Sequence, residues 1–308
     1  MKYAASFASC VLSCLVACGP SSRDPGGGDD TNPGPDAGPG TTTPKQCSKM
    51  DLVFVVDDSA SMEEEQSNLA TNFPMFATLL SNYVTPDGVH IDYRIAVTTT
   101  GKDIMYTVTN GPIVIPMNEN GDNGAFRNNC NMTKRFLEPT DANMEQVLAC
   151  RANVGIGGPG FEMPLLMTKW ALGERVTDGT NAGFLRDDAL LGVVMLTDED
   201  DSSTTQNNFN VTITSQPPVD YQPQDLVTFL DTLKGNRTRW AAGVIAGLTD
   251  CSSSFGNAVK ATRLQDFVGK ANSSSTQASF SSICDGNLTA ALQKTLDTFQ
   301  SACGVVIF

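Results

Sequence analysis

Histidine is almost missing from this chain of 308 residues, where His90 stands alone and reads as an exposed residue at a strand start. The nine cysteines include no Cys-x-x-Cys pair, so there is little from which to build a zinc site. A serine hydrolase would have to use His90 as its base, and no Gly-x-Ser-x-Gly elbow occurs. Positive charge is scarce too: 20 basic residues face 34 acidic ones, a formal net charge of −14. Phosphate backbones and anionic lipids demand lysine and arginine, which disfavours a nucleic-acid or anionic-membrane surface. The apolar run from Ala4 to Ala17 falls short of the roughly 20 residues that span a bilayer. No unit repeats along the chain.

What is present begins with an export signal. Lys2 and the following apolar run have the layout of a signal peptide over 1–17. The run ends Leu15-Val16-Ala17-Cys18, which resembles the lipobox of bacterial lipoproteins. That resemblance implies cleavage before Cys18 and a lipid on its sulfur; Gly19, rather than an aspartate, implies sorting to the outer membrane. Residues 18–46 form a tether rich in Gly, Pro, Asp and Thr. After Cys18 it has no large apolar residue and cannot bury itself. As a flexible coil it spans roughly 30 Å.

Cys10 and Cys14 leave with the signal peptide. Six cysteines remain for the domain at 47–308: Cys47, Cys130, Cys150, Cys251, Cys284 and Cys303. An even set in an exported domain implies disulfides, with fifteen pairings open.

Three stretches are apolar without alternation: 51–56, 189–196 and 240–248. Such strands lie in the middle of a parallel sheet covered on both faces. Residues 91–98 alternate instead, with Ile91, Tyr93, Ile95 and Val97 on one face, and read as a strand nearer the edge. Helical spacing follows Ser61, with Pro74 expected to kink that helix, and recurs over 161–172, 223–235 and 287–300. The stretch 101–135, rich in Gly and Asn, reads as an insertion or hairpin. Alternating strands and helices make a doubly wound α/β domain: a mostly parallel sheet with helices on both faces.

In such folds ligands bind beyond the carboxyl ends of the strands. After the first strand come Asp57, Asp58, Ser59 and Ser61; after 189–196 come Thr197, Asp198, Glu199, Asp200 and Asp201. Two oxygen-rich clusters at one sheet edge suit a hard cation. Asp57-x-Ser59-x-Ser61 after an apolar strand, with VVMLTDED ending at Asp200, resembles the von Willebrand factor type A domain over roughly 48–303. The resemblance implies a metal-ion-dependent adhesion site. Asp57, Ser59, Ser61 and Asp198 would hold Mg²⁺, Ca²⁺ or Mn²⁺, and a carboxylate from a protein or glycan partner would complete the shell. Asp58 would point elsewhere. The family pattern also has a threonine before the helix at 161–172, but none occurs from Asn153 to Met167. Ile156 or a glycine takes that slot, or Glu162 supplies a replacement oxygen. The resemblance also brings the start of the first strand near the end of the last helix, which pairs Cys47 with Cys303. Cys130 and Cys150 bracket one loop-helix segment, and Cys251 and Cys284 remain.

The plainer readings are few. Ser59 or Ser61 with Glu64 or Glu65 can be a helix N-cap with acids favoured by the dipole, though this leaves Asp57 unexplained. Asp200 and Asp201 read as a solvated loop, and Thr98, Thr99 and Thr100 as polar loop residues. Haloacid-dehalogenase-like phosphatases need Asp where Ser59 stands, and Toprim enzymes need Glu where Asp57 stands. The expectation is a lipid-anchored binding module and not an enzyme. The alternative is a structural envelope lipoprotein with a vestigial, metal-free site.

Overall fold

A computed structural model describes residues 47–85, 88–254, 256–286, 288–306 and 308. The signal peptide, Cys18 and the tether lie outside the described residues. In chain order the elements are β1 (Lys49–Val56), α1 (Glu63–Ser81), β2 (Asp92–Thr99), β3 (Ile104–Asn110), β4 (Ile113–Glu119), α2 (Met144–Ala152), α3 (Pro164–Leu172) and α4 (Glu174–Thr177). Then follow β5 (Leu190–Leu196), β6 (Asn208–Thr212), α5 (Pro223–Lys234), β7 (Trp240–Ala246), β8 (Cys251–Ser253), β9 (Gly256–Ala258), α6 (Thr262–Ala271), β10 (Ala278–Ser282) and α7 (Leu288–Val305).

The main sheet has five parallel strands in the order β10-β7-β5-β1-β2. From β1 the chain steps outward one way to β2, then returns to the other side through β5, β7 and β10. The switch point therefore falls between β1 and β5, where a doubly wound sheet opens its binding crevice.

β1 is buried along nearly its whole length because both its faces are covered. Met50, Leu52, Phe54 and Val56 face one apolar cluster with α1 and α7, while Val53 and Val55 face another with α3, α5 and α6. Phe54 meets Phe73 and Phe76 of α1, with ring centroids 4.9 and 5.2 Å apart. This two-residue alternation inside a continuous apolar run is what a doubly covered strand requires. Pro74 lies inside α1, and α5 ends at Gly235, whose φ of 73° needs no Cβ.

Several expectations are corrected. Thr98 and Thr99 are not loop polar residues but belong to β2, and Thr100 follows its end; all three are fully buried. The helix expected over 161–172 starts at Pro164, leaving Phe161 and Glu162 in the loop before it. The last helix runs on to Val305. The stretch 101–135 contains a hairpin, β3–β4, to which β6 adds in parallel to make a second, three-stranded sheet. Neither α6 nor β10 was expected. β10 is a short, serine-rich edge strand with little apolar signal, and the start of α6 is capped from a distant loop.

The structure joins Cys47 to Cys303, Cys130 to Cys150 and Cys251 to Cys284, with Cα separations of 5.3, 6.1 and 6.3 Å. Among the described residues no helix is long and apolar enough to cross a membrane.

Candidate metal centre

Asp57 leaves β1 with its backbone still in the ladder, its N–H donating to Leu196 O at 2.9 Å. Its side chain is fully buried. Oδ1 accepts from the N–H of Ser59 at 2.8 Å, and Oδ2 from the Thr197 hydroxyl at 2.6 Å. The first bond folds the chain into a tight turn. The second ties the end of β1 to the end of β5 across the switch point.

That turn brings the two serine hydroxyls together, Ser59 Oγ to Ser61 Oγ at 2.9 Å. Ser61 Oγ in turn donates to Asp198 Oδ1 at 3.2 Å. Neither hydroxyl caps a helix: the short 3₁₀ turn that starts after Ser59 and the start of α1 both lack a side-chain cap. The N-cap reading of these serines is therefore set aside. The hydroxyls face each other and an acid instead.

Glu162 approaches from the loop before α3 and is fully buried. One carboxylate oxygen accepts from the Thr100 hydroxyl, and Oε1 has no partner. A buried, orphaned carboxylate oxygen is costly unless something else fills its valence. Thr100, just after the end of the neighbouring strand, thus orients the Glu162 carboxylate. Reading the 153–167 loop by itself could not reveal this support.

The electrostatics point one way. Burial, then the charge of Asp57, pushes Glu162 well above the ordinary carboxyl range. Burial also raises Asp57, partly offset by its bonds to Thr197 and Ser59. Asp198 is pushed up to about 8 by burial and by Asp57, and Glu199 rises for the same two reasons. Among the described residues no lysine or arginine pairs with any of these four carboxylates. Repulsion concentrated without a counter-charge fits a divalent cation. Among the described residues no group of three or more His, Cys, Asp or Glu is placed to hold a metal ion. A cation at this edge would therefore depend on the serine hydroxyls as well as the acids.

The remaining candidates lie apart. Asp58 packs against Gly158, where an added Cβ would stand 2.2 Å from its Oδ1. Burial and repulsion from Asp122 raise it to about 7. Asp201 is buried, not solvated: it accepts from Leu165 N at 3.1 Å and pairs with Arg263 Nε at 3.2 Å. Asp200 accepts from Arg263 N at 3.0 Å. Both acids therefore cap helices, α3 and α6. Ile156 is exposed on the loop and brings no oxygen.

No family model matches the chain, and no curated protein matches it in sequence. Solved structures do. The chain is similar to proximal thread matrix protein 1 from the mussel byssus, 13% identical over 83% of this chain and 49% of that one, with a TM-score of 0.44. It is similar to the pilus adhesin SpaC from Lactobacillus rhamnosus GG, 10% identical over 83% of this chain and 31% of that one, TM-score 0.42. It is also similar to manganese-loaded TRAP protein from Plasmodium vivax, 10% identical over 82% and 75%, TM-score 0.39. These neighbours are von Willebrand type A proteins. The present chain spans about half the length of the mussel protein.

Proposed function

We propose that the chain is an exported, lipid-anchored binding module that captures a protein or glycan partner through a divalent cation. In this reading Cys18 carries the lipid, residues 19–46 hold the domain off the outer membrane, and the edge between β1 and β5 faces the partner. The signal and tether motifs support the first part. The meeting of Ser59, Ser61 and Asp198 beside an unpaired, buried Asp57 supports the second and carries the proposal.

The residues would divide the work by charge. Ser59 and Ser61 offer neutral hydroxyls, and Asp57 and Asp198 offer charge from two different strands. Glu162 would supply the oxygen that the missing threonine does not, with Thr100 fixing its orientation. A bound Mg²⁺, Mn²⁺ or Ca²⁺ supplies a positive centre for a partner's carboxylate. A glutamate in place of a hydroxyl adds negative charge, which favours calcium over magnesium. Thr197 keeps Asp57 aimed while β1 and β5 hold the loops at a fixed separation. In this reading the site binds and does not turn over a substrate.

The test is a melting curve of the domain with each ion and with EDTA. An ion that binds only the folded state raises the melting temperature, and Asp57→Ala and Ser61→Ala abolish the rise. Ser61 is exposed, so its variant keeps the fold. If no ion shifts the wild-type curve, the site is vestigial and the chain is a structural envelope lipoprotein. The anchor is tested separately: the full chain partitions into detergent, and Cys18→Ser does not.

A further inference from the structure

Arg151 is a fully buried cation that no acid meets. It lies in the last turn of α2, at 0% exposure, next to the cysteine that bonds Cys130. Among the described residues no carboxylate pairs with it. Its Nη2 donates to the carbonyls of Met132 and Lys134 at 2.8 and 2.6 Å, which ties the 130–135 loop to the helix. Nε and Nη1 have no acceptor. A guanidinium cannot shed its proton to escape that cost, so the open N–H positions call for a guest.

The surroundings add positive charge. The segment 123–137 contains Arg127, Lys134 and Arg135 and no acid. Lys134 is engaged by Glu138 and Asp141, at 2.5 and 3.0 Å. Arg127 pairs with Asp122 through Nη1 at 3.2 Å, but its Nε is buried without an acceptor as well. Arg135 donates to the Phe126 carbonyl and has no acid partner among the described residues. Burial pushes Arg151 below the ordinary arginine value; Asp141 opposes this, and Arg135 and Arg127 add to it. Asp141 is already taken, by Lys134 and by the N–H of Glu138 at 2.7 Å. The end of α2 offsets part of the charge through its dipole, but it fills none of the open N–H positions.

A water molecule answers this poorly. It would accept from the open N–H groups, yet its own hydrogens would then need acceptors. Between 123 and 151 every unpaired buried side-chain atom is a donor, on Arg127 or Arg151. An anion only accepts, and it supplies the missing charge. Because Arg151 is fully enclosed, the guest must be small, which favours a single-atom halide over a phosphate or a partner's carboxylate. The net charge of −14 does not forbid this. Charges beyond about 10 Å are largely screened at 0.1 M salt, whereas Arg127 and Arg135 act on Arg151 directly.

We propose that Arg151 holds a chloride ion between α2 and the 130–135 loop, with Arg127 and Arg135 supplying the field that retains it. The ion is a staple on the loop that the Cys130–Cys150 disulfide also closes. It is separate from the cation edge and does not depend on it.

The experiment follows thermal unfolding of the full chain in EDTA, which silences any divalent cation, while chloride replaces gluconate at constant ionic strength. Chloride at about five times its dissociation constant should raise the melting temperature by about 2–4 °C, and the rise should saturate. Arg151→Met, which keeps a stem and removes the charge, should lose the dependence. Anomalous diffraction from wild-type crystals in bromide gives a readout that does not need the variant to fold, and the ion is expected against Arg151 Nη1. A wild-type curve indifferent to chloride, or one that drifts without saturating, overturns the proposal. So does a saturating rise that persists in Arg151→Met, or a bromide map with only water at Arg151. A bromide peak without a saturating thermal shift means an adventitious ion only, and overturns it too.

Discussion

Asp51 and Asp57 sit on and just beyond the same strand, and both are fully buried. Asp51 has a partner. Arg186 donates to it through Nε at 2.8 Å and through its backbone N–H at 2.6 Å, and burial and the guanidinium act on it in opposite senses. Among the described residues the Asp57 carboxylate has a turn N–H and a threonine hydroxyl as donors, and its neighbours are more acids. The end of β1 nearer Lys49 is thus a finished ion pair, and the end beyond Val56 is an unbalanced one. A buried charge is tolerated when it is paired, so the two sites differ in what they still require.

The strongest way to break the comparison is to unpair Asp51. Arg186→Met leaves its carboxylate buried alone and should cost about 3–5 kcal/mol in chemical denaturation, in EDTA and manganese alike. A loss that manganese repairs would mean that the two ends of β1 are not independent.

Supplying the missing partner at the other end should come next in size. A saturating ion, a hundredfold over its dissociation constant, adds about 2.7 kcal/mol to wild type. The Arg186 variant should keep this increment, and Asp57→Ala and Ser61→Ala should lose it. Equal increments in all of them would place the ion elsewhere.

The unbalanced end should also show itself in pH. A carboxyl whose pKa is higher in the folded chain binds its proton more tightly there than in the unfolded chain. For Asp198, stability in EDTA should therefore decline as pH rises from the unfolded value near 4 towards about 8. Saturating cation should flatten that slope. Melting curves from pH 5 to pH 8 would decide it, and a rise with pH in EDTA would contradict the placement of these acids.

The smallest effect concerns Asp58, which is crowded by Asp122 and held at about 7. Asp58→Asn removes that repulsion and should raise the melting temperature by about 2–4 °C. The cation increment should stay intact. Its loss would bring Asp58 into the site.

Much of the fold was legible because its signals are local. Leu52 to Val56 read as a doubly covered strand, and the spaced apolar residues from Leu69 to Leu80 read as a helix. β10 was not legible, since a serine-rich strand is recognised by its pairing with β7 and not by its composition. In the site, the Asp-x-Ser-x-Ser spacing was readable because a two-residue step inside one turn fixes where its groups point. Thr100 and Thr197 were not assigned roles, because each acts through a bond to a residue 62 or 140 positions away.

The sequence alone therefore determined the strands β1, β2, β5 and β7, the helices α1, α3, α5 and α7 and the oxygen-rich ends of β1 and β5. These depend on side-chain chemistry at short spacing. The tertiary structure decided which acids are finished and which are not. Asp51 meets Arg186, Asp201 meets Arg263, and Asp57 meets Glu162 and Asp198 instead of an arginine. One residue type takes these different roles because burial and partnership are set by chain segments that only folding brings together.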